Sequence, residues 1–397
     1  MKKKNKGITL IALVITIIVL LILAGVAIAM LSGENGILKK AADAKEKTGE
    51  AKRDETSKLS QYEGLLNNYS GNKWCLDGKG NVTNGTTTIK LGSQINYDPY
   101  TGVEKDYLKV TSYKTRNGYK DQTFQLANNE DGKQKLVWKV LGVDDNGQIL
   151  IMPTTNIRNA DGEVQRLSLG SKLAEAADFS SDESKKAGAL AVEYGKEEIN
   201  NICSIYGFGK GATGARSVQV EDIDKIAKFE KTKFEPNQVY GYGHEVEYTL
   251  VDGKVNYKLY GESSPVVSDY TSLTYVQGGQ YKDLKVGETL KLKNTYYNYV
   301  MTTEPYKTNL GNVYNLVAEG TNSNQNYWLG SSCIFGDTGY AYWGIFYVIN
   351  YNVDFVYLFD TDGKAYADIR GLRPVVSLKS DIKLKETAEN SGVYDIQ

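Results

Sequence analysis

Residues 8–31 read ITLIALVITIIVLLILAGVAIAML, and only Thr9, Thr16 and Gly25 stand outside the strongly apolar set. As an α-helix rising about 1.5 Å per residue, this run reaches roughly 36 Å, enough for a hydrocarbon core of about 30 Å. Lys2, Lys3, Lys4 and Lys6 precede it. A basic cluster of this kind stays cytoplasmic, so a single-pass membrane protein with everything after residue 31 outside the cell is expected. Ala27-Ile28-Ala29 offers an A-x-A cleavage site. The run is longer than the roughly 7–15 apolar residues of an ordinary secretory signal, which argues against removal there. A plain signal anchor also fits these residues.

The segment Lys6-Gly7-Ile8-Thr9-Leu10-Ile11 resembles the class III leader of type IV pilins and pseudopilins. The resemblance implies cleavage after Gly7 by a prepilin peptidase, N-methylation of Ile8, and retention of the apolar helix. It also implies other pilin-like subunits as partners and, where assembly occurs, location in a pilus. Ala12 stands where the family has a glutamate at the fifth mature position. That departure points to a minor or tip pilin, or a pilin-like protein that stays in the membrane.

A proline-free charged segment follows, assigned to 32–70 after the leader (1–7) and the span (8–31). Asp43/Lys47, Glu50/Arg53 and Asp54/Lys58 are three or four apart, as surface pairs on a helix are. Leu59, Tyr62 and Leu66 share one face. A long stalk helix is therefore expected. Beyond it, short alternating runs are broken by Gly, Asn and Asp. Strands are expected at 87–95, 107–113, 342–349, 355–360 and 372–378, and a hairpin at 137–152 around Asp144-Asp145-Asn146-Gly147. The segment 240–260 reads as strand with an Asp252-Gly253 turn, and 278–297 as irregular. Helical spacing appears at 187–206 and 217–229. The expected class is α+β: a long N-terminal transmembrane and stalk helix, then a head with an antiparallel sheet and two helices. The head divides into a β-rich lead-in (71–136), a binding domain (137–380) and a tail (381–397).

Composition excludes several functions. With 47 Lys+Arg against 48 Asp+Glu, the formal net charge is −1 and no polyanion-binding footprint exists, so no nucleic-acid partner is expected. The single His244 and the three separated cysteines, Cys75, Cys203 and Cys333, supply neither a His-rich metal site nor a disulfide framework. Gly207-Phe208-Gly209-Lys210-Gly211-Ala212-Thr213-Gly214 follows a predicted helix and lacks the Gly-Lys-Ser/Thr ending of a phosphate loop, so it reads as a connection between helices. Glu235-Pro236-Asn237 matches the sugar-selecting triplet of calcium-dependent lectins without their companion Trp-Asn-Asp element. His244 beside Glu245 is better read as a loop histidine than as an acid/base pair. No catalytic residue, metal or cofactor is expected, and the chain reads as non-enzymatic.

Residues 327–366 hold 13 aromatics in 40 positions, and 327–363 contain no Lys, Arg, Glu, Gln or His. Strand alternation predicts Val356 and Leu358 on one face, with Tyr357 and Phe359 on the other. Tyr, Ser, Gly and Asn with large aromatics is the composition of adaptable binding surfaces.

Tyr327-Trp328-Leu329-Gly330-Ser331, Trp343-Gly344-Ile345, Tyr357-Leu358 and Gly371-Leu372-Arg373-Pro374-Val375-Val376-Ser377-Leu378 together resemble the ending of C-type-lectin-like domains on bacterial surface proteins. Such domains include the targets of diversity-generating retroelements. The strand around Trp138 fits the start of that module, so the resemblance covers about residues 85–380. It implies a structural Arg373. It also implies that residues reachable from asparagine-type codons form a diversified face: Ser332, Cys333, Phe335, Asp337, Phe346, Ile349, Asn350, Tyr351, Asn352, Asp354 and Phe355. With Tyr342 these are the candidate ligand-binding residues. The related formylglycine-generating oxidases need a cysteine pair, which the distant Cys203 and Cys333 do not offer. The expected function is a pilin-like surface adhesin whose head binds an extracellular protein or glycan. The alternative is a structural pseudopilus subunit of a secretion or uptake machine.

Overall fold

A computed structural model describes residues 73–99, 136–158, 163–170, 179–237, 239–318 and 326–397. All fall in the unit Gly64–Gln397. Gly7, Ile8, the apolar span, the stalk and the expected strand at 107–113 lie outside the described residues. Among the described residues no helix is long and apolar enough to cross a membrane. The expected α+β class is corrected: 41% of these residues are strand and 19% helix, so the architecture is mostly β.

The excess of strand has an identifiable origin. The polar stretch 278–297, expected to be irregular, builds β13 (Gln280–Asp283) and β14 (Thr289–Lys293), and β13 pairs with β12 (Thr274–Gln277), just before it, in a hairpin turned by Gly278 and Gly279 at positive φ. Most of their side chains are exposed, and only β14 alternates, with Leu290 and Leu292 turned inward between Thr289, Lys291 and Lys293. The glycine-rich connection at 207–214 is also corrected. Its second half is β8 (Ala212–Ser217), whose backbone pairs with β20 (Pro374–Leu378).

Five sheets form. The smallest are β12–β13 and a three-stranded sheet of β1 (Cys75–Leu76), β2 (Asn81–Thr83) and β3 (Thr88–Lys90). The expected strand 87–95 is broken after β3 by Gly92, at φ +81°, before β4 (Gln94–Asn96). A four-stranded sheet runs β11 (Val266–Val267), β10 (Lys254–Lys258), β9 (Glu245–Val251), β14. Asp252 and Gly253 make the β9–β10 turn at positive φ, as expected.

The seven-stranded sheet runs β21 (Leu384–Glu386), β22 (Val393–Ile396), β4, β5 (Trp138–Val143), β6 (Ile149–Pro153), β20, β8. The β5–β6 hairpin is where the sequence placed it. The Asp144 carboxylate accepts the Asn146 and Gln148 N–H groups at 2.9 and 2.8 Å and shapes the turn. Strand β20 lies against β6, so the closing motif pairs with the opening hairpin. Strand β22 runs parallel to β4, with Val393 beside Gln94.

The six-stranded sheet runs β15 (Tyr299–Val300), β18 (Asn352–Asp360), β17 (Ala341–Ile349), β16 (Tyr327–Gly336), β19 (Ala367–Gly371), β7 (Arg166–Gly170). Asn350 and Tyr351, both at positive φ, join β17 to β18. Trp343 pairs with Phe359 but Gly344 pairs with Tyr357, so Leu358 is an extra residue in a bulge. This corrects the simple alternation: Leu358 and Phe359 are both buried while Tyr357 is exposed.

Helix α1 (Asp182–Ser204) covers one face of this sheet. Ser181 caps it by accepting the Ser184 N–H at 3.2 Å. Small residues let it approach closely: a Cβ on Gly195 would lie 2.6 Å from Ile345 Cδ1. Helix α2 (Val220–Ala227) ends at Lys228 in the left-handed region. Two short helices, α3 (Tyr306–Leu310) and α4 (Tyr314–Ala318), precede β16. Arg373 is fully buried, donating from Nε to Asn156 Oδ1 and from Nη1 to the Leu316 carbonyl, with its guanidinium 4.5 Å from the Tyr327 ring.

Candidate binding surface

The sheet face turned away from α1 carries the candidate site. In the β16–β17–β18 register, Phe335 pairs with Tyr342, Gly344 with Tyr357, and Phe346 with Phe355. These side chains therefore share a face. The segment 294–299 straps across it. The Ile334 carbonyl of β16 accepts the Thr295 and Tyr296 N–H groups at one side, and Tyr299 pairs with Val353 of β18 at the other. Under the strap Tyr297 packs on Phe346 at 4.9 Å between ring centroids. Beyond it the rings stay half-buried: Tyr296 lies 4.5 Å from Phe355 and 5.2 Å from Phe335.

From there the rings run on without a break. Tyr342 lies 5.1 Å from both Tyr357 and Tyr340, and Tyr357 lies 4.7 Å from Tyr366. Tyr240 joins beside Phe335 at 6.1 Å and Tyr270 beside Tyr340 at 5.5 Å. Tyr357, at 40% exposure, is the most open ring of this group. The β16–β17 loop is pinned by Tyr248 of β9, whose hydroxyl lies 2.8 Å from the Asp337 carbonyl oxygen and 2.9 Å from that of Tyr340. Gly344 is required because a Cβ there would lie 2.1 Å from the Val356 carbonyl oxygen.

The surface is uncharged over most of its area. Burial pushes the Tyr240 phenol up to about 12, with Asp337 adding to the shift. Burial likewise raises Tyr270, Tyr296, Tyr342 and Tyr366, so these hydroxyls stay protonated at neutral pH. Asp360, opposite Tyr342, is buried and accepts the Lys364 N–H and the Tyr366 hydroxyl, both at 3.0 Å. Burial raises its carboxyl despite those donors.

The predicted residues do not converge on one patch. Phe335, Tyr342 and Phe355 lie in the aromatic surface and Asp337 lies at its rim. Cys333 and Phe346 are corrected to core residues, each 2% exposed. Phe346 is sealed by Tyr297, and burial pushes the Cys333 thiol well above its ordinary value. Ser332 pairs with Ile345 and Asp354 with Tyr347, which puts both on the opposite face. Ile349, Asn350, Tyr351 and Asn352 form the other end of the hairpin, seven residues and roughly 23 Å along the strand from Tyr342. There Tyr351 stacks on Tyr314, centroids 6.2 Å apart and planes 2° from parallel.

Tyr240, Tyr270, Tyr296, Tyr340 and Tyr366 are not marked individually by the sequence, and Tyr357 is marked only by strand alternation and the Tyr357-Leu358 motif. Tyr340, Tyr357 and Tyr366 belong to the aromatic-rich stretch, which was a usable signal. Tyr240, Tyr270 and Tyr296 are brought in by tertiary structure alone.

Away from this surface, His244 stacks on Tyr260 at 3.9 Å, its Nε2 3.6 Å from Glu235 Oε1. Among the described residues no group of three or more His, Cys, Asp or Glu is placed to hold a metal ion. The chain matches no family model, no curated protein and no solved structure.

Proposed function

We propose that the protein is a non-enzymatic, pilin-like cell-surface adhesin whose head binds an extracellular protein or glycan through the aromatic surface of β16–β18. One observation carries this reading: a continuous array of half-buried tyrosines and phenylalanines centred on Tyr342 and Tyr357 and left open on a sheet face. Buried aromatic faces are ordinary core. Open ones of this extent mark contact surfaces. The resemblance of residues 327–378 to C-type-lectin-like endings supports ligand binding over a purely structural role. The Gly7-Ile8 leader supports display by prepilin processing, with residues 8–31 holding the protein in the membrane.

The test compares wild type with Tyr342→Ala and Tyr357→Ala, displayed at equal levels, in binding to host cells and to glycan and peptide arrays. Loss of binding with intact display supports adhesion. Unchanged binding by both variants overturns it and leaves the structural-subunit reading. Mass spectrometry of the mature N-terminus tests processing: methylated Ile8 supports the pilin route and an intact Met1 rejects it.

A further inference from the structure

A cavity of ≈ 250 Å³ opens between the β5–β6 hairpin and α2, away from the residues of the aromatic surface. One wall is apolar, formed by Leu76, Leu141, Leu150 and Ile226. The rest carries six charged side chains: Asp144, Asp145, Glu221, Asp222, Arg216 and Lys225. Both cations are already engaged. Arg216 grips Asp222 through two nitrogens, at 2.6 and 2.7 Å. Lys225 donates to Asp145 at 2.9 Å and to the Val143 carbonyl at 3.1 Å.

Asp144 is left facing the cavity without a cation in hydrogen-bond contact among those pairs. Its Oδ1 is occupied by two backbone N–H groups of the turn. Burial holds its carboxyl above the usual range in spite of Arg216 and Lys225 nearby. Glu221 reaches out to Lys231 at 3.3 Å and to Ser331 at 3.1 Å. With Lys231 counted, four carboxylates meet three cations, and Asp144 is the carboxylate left without an ion pair beside a greasy wall.

We infer that this cavity is a binding site for a small organic monocation, an alkylammonium or alkylguanidinium, with its alkyl body on the Leu141–Leu150–Ile226 wall and its charged end on Asp144. Such a group supplies the missing positive charge, and its chain covers the apolar wall. An anion meets the opposite: Arg216 and Lys225 are already paired with carboxylates, and Asp144 repels it. The size, at the low end for ligand sites, suits a short chain.

The experiment is calorimetric titration of the full chain in lipid nanodiscs with n-butylammonium, n-butanol and butyrate. Butylammonium is expected to bind at least tenfold more tightly than butanol or butyrate. Asp144→Asn keeps the turn acceptor and removes the charge, and is expected to weaken butylammonium about tenfold while leaving butanol unchanged. Leu76→Trp adds bulk to the cavity's apolar wall and is expected to abolish binding. Equal affinity for the three probes, tighter binding of butyrate, or an unaltered Asp144→Asn variant overturns the inference. Circular dichroism of both variants checks that the fold is kept.

Discussion

Phe346 and Phe355 face each other across β17 and β18, yet Phe346 is 2% exposed while Phe355 is half-buried at a surface. Strand phase does not separate them. The strap 294–299 does, by setting Tyr297 on Phe346 and Tyr296 against the side of Phe355. Core and contact surface thus meet within one cross-strand pair.

That boundary predicts divergent effects of two truncations. Phe346→Ala is expected to cost about 3–5 kcal/mol of stability, as buried Phe deletions do. Tyr357→Ala, at an open ring, is expected to cost less than about 1 kcal/mol and to remove binding instead. Urea unfolding alongside cell binding separates the two.

Gly344→Ala is expected to disturb the bulge, since its Cβ would lie 2.1 Å from the Val356 carbonyl oxygen. Overpacking of this sort costs about 1–3 kcal/mol. Because Tyr357 pairs with Gly344, binding is expected to fall too. Near-ultraviolet circular dichroism would register the displaced tyrosines, and an unchanged spectrum would contradict the prediction.

Asp224 predicts a pH dependence. Its carboxyl is buried on α2 and accepts the Tyr297 and Tyr299 hydroxyls. Burial lifts it from 3.8 to about 7, outweighing those hydrogen bonds. The folded state therefore holds more protons than the unfolded chain between about pH 4 and 7. The stabilisation is fully present below about pH 4 and is lost as pH rises through about 7, a change on the order of 4 kcal/mol. Asp224→Asn is expected to remove this part of the pH dependence and to be the more stable protein at pH 8. Denaturation midpoints of both proteins from pH 4 to 8 provide the check.

Arg373 predicts intolerance of a charge-conserving change. Its fork reaches Asn156 and the Leu316 carbonyl from a fully buried position. Lysine has no such fork, so Arg373→Lys leaves a buried charge poorly satisfied. A loss of about 3–5 kcal/mol is expected. Thermal unfolding would show it, and a midpoint shift under a degree would refute it.

Legibility from sequence followed the physics of each element. Helices α1 and α2 have buried faces at the helical period, and the β5–β6 hairpin is two almost wholly buried apolar runs around an Asp-Asp-Asn-Gly turn, so these were located within a few residues. The β12 and β13 strands are mostly exposed and carry no such period, while in β14 the alternation is confined to Leu290 and Leu292. The bulge at Leu358 reversed the phase of the strand exactly where the site lies, so alternation misassigned Phe359. Composition marks the aromatic stretch and Tyr342 within it, and the C-type-lectin-like resemblance implies Phe335 and Phe355. It had no means of finding Tyr240, Tyr270 and Tyr296, nor the strap that buries Phe346.

The parallel pairing of β22 with β4 joins residues 393–395 to 94–96. Among the described strands β4 has β5 on one side and β22 on the other. Until β22 docks, that second edge is open. Closure by so distant a segment slows folding. It also makes β22 a late latch, since an open β4 edge is a template for pairing with other chains until that strand docks.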